Sequence, residues 1–273
     1  MSIQPREATT TQVAIDSPSR TSSSRSGLES TLRQPMRAGI GRLLQSAIFS
    51  KRPCRKARGE AGRIASAAGR RNTDRIAEPW DGPSVAFLVE QAVGHGVAVC
   101  GSVAEVPRDG GLPLNNFVIA LADGSVHRYA KIHPFTYGGE SDHYAPGDAT
   151  CTVTIDGVRC SFFVCYDLRF ADSFWGLAPM TDCYVVTANW PSVRRSHWTP
   201  LLRARAIENQ AYVVGVNRVG EAPGLAYAGE SVVIDPLGET VVAAGSGEEV
   251  LLAAVDAGRV ASVRTEYPFL ADR

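Results

Sequence analysis

The sequence predicts an α/β (α+β) domain, a mixed β-sheet covered by helices, preceded by a segment of different character. Three observations carry this. Strand-like runs outnumber helical ones after residue 72. Several of those runs are apolar at every position, as in strands buried on both faces. Two pairs of runs are each joined through an Asp-Gly dipeptide, the strongest short hairpin signal.

The elements follow in order. Pro83-Ser84 opens a helix to Val93, with Ser84 suited to the N-cap and Val85, Phe87, Leu88 and Ala92 apolar. Val97–Val103 reads as a buried strand. Phe117–Leu121 and Val126–Lys131 flank Asp123-Gly124 as one hairpin; Cys151–Ile155 and Val158–Val164 flank Asp156-Gly157 as another. A helix over Ala171–Leu177, a strand over Cys183–Ala188, a helix over His197–Gln210 and a strand over Tyr212–Asn217 come next. Glu230–Ile234, Val241–Ala244 and Val250–Val255 complete the sheet.

The net charge is zero but unevenly spread. Residues 1–71 hold fourteen Lys/Arg against four Asp/Glu; residues 72–273 hold fourteen against twenty-four. The first segment is rich in Arg and Ser and poor in periodicity, with only Ile40–Phe49 able to form a short helix. Such composition cannot bury enough surface to offset ordering entropy, so most of it reads as disordered. It could be a targeting segment, a basic arm for nucleic acid, or the product of a misassigned start or shifted frame; the last ranks first, because composition changes abruptly near Asn72. Few aromatics argue against a nucleic-acid partner. No apolar stretch approaches the roughly 18 residues a membrane span needs. Five of the six cysteines, Cys100, Cys151, Cys160, Cys165 and Cys183, lie in or beside apolar runs, and none has zinc-like spacing, which suits reduced thiols in a cytoplasmic setting.

The chemistry concentrates around Cys165. The apolar run Cys160–Val164 stops there, and a polar turn and a helix-like stretch follow. That places a thiol at the carboxyl end of a buried strand, where it can meet substrate rather than lie inert in a core. Lys131 ends another strand and could stabilise negative charge developing nearby. Glu140 sits in the glycine-bearing loop Tyr137–Tyr144, which could lean over a pocket or be ordinary surface. Arg169, four residues after Cys165, could bind a substrate carboxylate or pair with Asp167 or Asp172. Trp190 could wall the pocket or belong to the core. Glu208 reads as a structural partner of Arg205 or Arg203. His133 and His197 receive no role.

Six motifs in order make a more specific pattern: Tyr129-Ala-Lys-Ile-His-Pro-Phe135, Gly138-Gly-Glu140, Tyr144-Ala-Pro-Gly147, Cys165-Tyr-Asp-Leu-Arg-Phe170, Ala188-Asn-Trp-Pro191 and Arg203-Ala-Arg-Ala-Ile-Glu-Asn-Gln210. Over residues 72–273 the chain resembles the nitrilase superfamily of carbon–nitrogen hydrolases, most of all its omega-amidase branch. The resemblance implies a nitrilase-type α-β-β-α sandwich that forms a homodimer, extending the helix-covered sheet into a four-layer stack. It implies Cys165 as nucleophile, Lys131 as catalytic lysine and Glu140 as the second glutamate, with Tyr166, Arg169 and Trp190 toward the substrate. The implied reaction is hydrolysis of a small amide such as 2-oxoglutaramate through a thioester, with no cofactor or metal. A nitrile or N-carbamoyl substrate, or a catalytically dead dimerising relative, are the alternatives. One block of the pattern is not found: the first strand-helix-strand unit and its Pro-Glu general base, expected shortly before Thr73. Glu60 is the only carboxylate near that place. The fold is therefore expected to lack this unit and activity to be impaired.

Overall fold

The computed structural model describes residues 76–222 and 224–273, together with the strand backbones at 12–16 and 46–50. Its strands are β1 (Gln12–Asp16), β2 (Ser46–Ser50), β3 (Glu78–Pro79), β4 (Ala98–Val106), β5 (Leu114–Ala120), β6 (Val126–Ala130), β7 (Thr152–Ile155), β8 (Val158–Val164), β9 (Cys183–Ala188), β10 (Tyr212–Asn217), β11 (Val219–Ala222), β12 (Leu225–Ala228), β13 (Val232–Ile234), β14 (Thr240–Ala243) and β15 (Val250–Ala254). The helices are α1 (Pro83–His95), α2 (Ala171–Leu177), α3 (Arg195–Asn209) and α4 (Ala257–Glu266).

Among the described residues the strands form two large sheets and one hairpin. One sheet runs β15-β1-β2-β4-β5-β6, with β3 beside β4; the other runs β14-β13-β10-β9-β8-β7. Strand alternation assigns the faces. On β5, Phe117 and Ile119 enter the core between the sheets, while Val118 and Ala120 pack with Val85, Leu88 and Ala92 of α1. The sheets meet directly where Phe117 lies edge-on to Phe162 of β8, ring centroids 5.2 Å apart. On the far side, Trp198, Leu202 and Ala206 of α3 join the core of the second sheet. Gly215 of β10 permits that contact, because a β-carbon there would stand 2.4 Å from Leu202. The layers are thus helix, sheet, sheet, helix within one chain. A dimer is not needed to reach four layers, which corrects that part of the expectation.

Two further corrections concern the N-terminal part. The backbones of β1 and β2 join the first sheet, β1 parallel to both β15 and β2, and β2 antiparallel to β4. The sheet therefore draws on chain from both sides of Asn72, and the two strands read as missing are present. Ser46–Ser50 is a strand where a short helix over Ile40–Phe49 was the only expected element. A short apolar run looks alike in both states, and its sheet partners are distant in sequence. Glu60 lies outside the described residues.

Elsewhere the differences are local. Ser84 does not cap α1. Gly82 occupies the N-cap with Pro83 following, and the Glu78 carboxylate accepts both the Ser84 N–H and its hydroxyl at 2.7 Å. The hairpin β11–β12 and helix α4 were not anticipated, although Asp256 caps α4 by accepting the Gly258 N–H. No described helix is long and apolar enough to cross a membrane.

Phe162→Ala is expected to destabilise the fold by about 3–5 kcal/mol, the usual cost of emptying a fully buried aromatic site. A urea titration giving less than 1 kcal/mol would show that the sheets do not pack through this residue.

Candidate active site

The site lies where the ends of β6 and β8 meet, one strand from each large sheet. β8 ends at Val164, and a 3-10 turn over Cys165–Arg169 follows. Cys165 takes a φ of +49°, a left-handed conformation that non-glycine residues rarely adopt. Such strain, of order 1–3 kcal/mol, persists only when the surroundings enforce it.

Asp167 supplies much of that enforcement. It is fully buried. Its Oδ2 accepts the Val164 N–H at 3.0 Å and the Tyr129 hydroxyl at 2.9 Å. Its Oδ1 takes the His133 N–H and His133 Nδ1, both at 2.9 Å. Tyr129 and His133 bracket Lys131 by two residues on either side, so one carboxylate ties the lysine's strand end to the cysteine's turn. Burial and the Asp167 charge push the Tyr129 hydroxyl up, which keeps it a donor. His133 also stacks flat on Phe170, ring centroids 3.6 Å apart.

Lys131 and Glu140 form a buried pair, Nζ to Oε2, at 2.5 Å. Glu140 Oε2 also accepts the Phe135 N–H at 2.7 Å, and Oε1 accepts from Asn115 Nδ2 at 2.9 Å. Asn115 shares the inter-sheet face of β5 with Phe117, so strand alternation delivers its amide here. The loop between Lys131 and Glu140 closes tightly: a β-carbon at Gly138 would sit 2.3 Å from the Phe135 ring.

Electrostatics join the pair to the thiol. Burial works against the Lys131 charge, but Glu140, Cys165 and Asp167 together hold its pKa above the ordinary lysine value. For Cys165, burial pushes the thiol up; Lys131 pulls it down, Glu140 pushes it up, the Asn189 backbone N–H lowers it and Asp167 raises it. The net direction is up. Because Lys131 shares its field with Glu140, desolvation outweighs the pull of the ammonium on the thiol.

The other sequence-predicted residues stand close by. Tyr166 is half-buried against Phe135 (4.8 Å) and edge-on to Phe170 (5.3 Å). Trp190 is buried, and its indole N–H donates to the Arg194 carbonyl at 2.8 Å. Arg169 lies over the Trp190 ring at 4.9 Å and meets His197 Nδ1 at 3.0 Å. The alternative pairing of Arg169 with Asp167 or Asp172 is not made. Glu208 pairs with Arg205, whose guanidinium also donates to the Leu168 carbonyl. Sequence reasoning missed Asn115, Tyr129 and His133. The two adjacent amides of Asn115-Asn116 inside an otherwise apolar strand were the signal available for the first.

The carbon-nitrogen hydrolase family pattern matches residues 64–265. The chain belongs to that family. It is 45% identical over 139 residues to omega-amidase YafV of Yersinia enterocolitica, covering 50% of this chain and 53% of that protein. It is 34% identical over 206 residues to 2-oxoglutaramate amidase of Bacillus subtilis, covering 74% and 78%. The match to the Yersinia protein thus spans about half of that relative's length. Among solved structures it is similar to a CN-hydrolase superfamily protein of Xanthomonas campestris with an arsenic adduct in the active site. That likeness has a TM-score of 0.71 at 38% identity, over 77% of this chain and 81% of that one.

Opposite charges on Lys131 and Glu140 predict opposite effects on the thiol. Lys131→Met should move the pH profile of Cys165 alkylation by iodoacetamide upward, since an ammonium that lowers the thiol pKa is lost. Glu140→Gln should move it downward. Profiles that shift in the same direction, or not at all, would contradict this geometry.

Proposed function

We propose that this chain hydrolyses the terminal amide of a small carboxylate-bearing molecule of the 2-oxoglutaramate kind. The observation that carries the reading is the buried Lys131–Glu140 pair acting on Cys165 at a strained turn. The names of the Yersinia and Bacillus relatives, an omega-amidase and a 2-oxoglutaramate amidase, support this reading.

In this reading Cys165 Sγ attacks the amide carbon as its proton passes to a carboxylate. The carbonyl oxygen becomes an oxyanion, held by the Lys131 ammonium and a backbone N–H near Tyr166. The C–N bond breaks, ammonia leaves with a proton, and a thioester remains. Water then adds, its proton again taken by a carboxylate, and the acid departs as the thiol re-forms. Among the described residues, Glu140 and Asp167 are the carboxylates acting on Cys165. Asp167 is occupied by four donor contacts, whereas Glu140 Oε1 accepts only from Asn115 and retains a lone pair. Glu140 is the described group able to take the proton. The family's further glutamate, weighed at Glu60, lies outside the described residues.

Arg169 supplies the substrate end. It is held over the Trp190 ring four residues after Cys165, and it makes no ion pair with a carboxylate among the described residues, which leaves its charge for an anionic substrate group. A charge-assisted hydrogen bond contributes about 1.5–3 kcal/mol.

Ammonia release from 2-oxoglutaramate tests the reading. Wild-type turnover abolished by Cys165→Ala, with the circular dichroism spectrum unchanged, is the expected result; equal turnover by both proteins would sink it. Arg169→Ala should raise KM for 2-oxoglutaramate about 10- to 100-fold, while leaving KM for an uncharged aliphatic amide nearly unchanged. Equal loss on both substrates would remove Arg169 from carboxylate binding.

A further inference from the structure

Asn217, the last residue of β10, is almost fully buried, and both ends of its carboxamide are used. Its Oδ1 accepts the Trp190 N–H at 2.8 Å. Its Nδ2 donates to the Trp190 carbonyl at 3.3 Å and to the Gly229 carbonyl at 2.7 Å. One side chain therefore grips both main-chain groups of Trp190 and one of Gly229. Its own backbone is anchored separately, the N–H donating to Ser231 Oγ at 2.9 Å and the carbonyl accepting from that hydroxyl at 3.3 Å.

Each gripped segment adjoins a residue that interacts with the Cys165 sulfur. Trp190 carries Arg169 on its ring. The residue before it, Asn189, gives its backbone N–H to the Cys165 sulfur. Gly229, whose N–H donates to the Arg218 carbonyl at 3.0 Å, closes the β11–β12 hairpin. That hairpin carries Tyr227, with the Arg218 guanidinium 4.5 Å over its ring. The Tyr227 hydroxyl is pushed up by burial and, among smaller causes, by the charge of Cys165, so phenol and thiol lie within each other's field.

We infer that Asn217 is a positioning residue: its carboxamide fixes the separation of the Trp190–Arg169 wall from the Tyr227 hairpin and, through Trp190, aims the Asn189 N–H at the Cys165 sulfur. Asparagine suits the place because the three backbone groups require one acceptor and two donors from a planar end. Aspartate would keep the acceptor, lose both donors and bury a charge. Leucine would orphan all three backbone groups. The inference rests on Cys165 as the reacting group, but not on which amide it cleaves.

The test is the pH profile of Cys165 alkylation by iodoacetamide in wild-type protein, Asn217→Ala and Ser231→Ala. The Asn217→Ala profile should move to higher pH, since a hydrogen bond favouring the thiolate is mis-aimed. Ser231→Ala perturbs the same strand end without touching the carboxamide, and its profile should stay in place. With 2-oxoglutaramate, Asn217→Ala should lower kcat and raise KM together, reducing kcat/KM about 10- to 100-fold. A variant with lowered Tm but wild-type profile, kcat and KM would overturn the positioning role and leave a merely structural one. Should Asn217→Ala fail to fold, hydrogen exchange of the wild-type Trp190 amide decides: protection like that of the β10 amides supports the clamp, and exchange at open-loop rates overturns it. If wild-type protein cleaves no amide, the proposed function fails on its own, while the alkylation profile and amide exchange still judge Asn217.

Discussion

A single buried carboxylate brings the reacting groups together. Lys131 follows a strand of one sheet and Cys165 a strand of the other, and neither strand's hydrogen bonding says anything about the other's end. Asp167 joins them by accepting from Val164, Tyr129 and His133 at 2.9–3.0 Å. Removing a carboxylate from water costs several kcal/mol, and charge-assisted hydrogen bonds return about 1.5–3 kcal/mol each. The role of Asp167 is geometric as well: without its carboxylate the buried Tyr129 hydroxyl and the Val164 N–H would lose this acceptor.

The electrostatics follow from that geometry. Lys131 is set beside Glu140 as well as Cys165, and the neutralised pair cannot hold a thiolate against desolvation at rest.

Around this centre three arginines lie on aromatic faces: Arg169 on Trp190, Arg194 on Phe135 and Arg218 on Tyr227. None of the three forms an ion pair with a carboxylate among the described residues. Residues 72–273 carry ten more acidic than basic side chains, yet these three guanidinium groups have aromatic rather than carboxylate neighbours. Aromatic faces orient a guanidinium without neutralising it, so its charge stays available to an anionic substrate.

Local pattern was enough for much of the scaffold. The spans Ala171–Leu177, Cys183–Ala188 and Tyr212–Asn217 were legible to the residue, and the Asp-Gly turns placed both hairpins. Cys165 was legible because a long buried strand ends in front of it. Less was readable where the partner is distant: β1 and β2 pair with strands far away in sequence, and the cap of α1 is a carboxylate six residues upstream. The site divides in the same way. The sequence by itself singled out Cys165, Lys131 and Glu140, by their types, order and local turns, and the fold brings the three into one electrostatic group. Only the tertiary structure decided how they are held: Asp167, Asn115, His133 and Asn217 matter through hydrogen bonds to residues 25 to 38 positions away. Such contacts exist only once two sheets have packed and water has left the space between them.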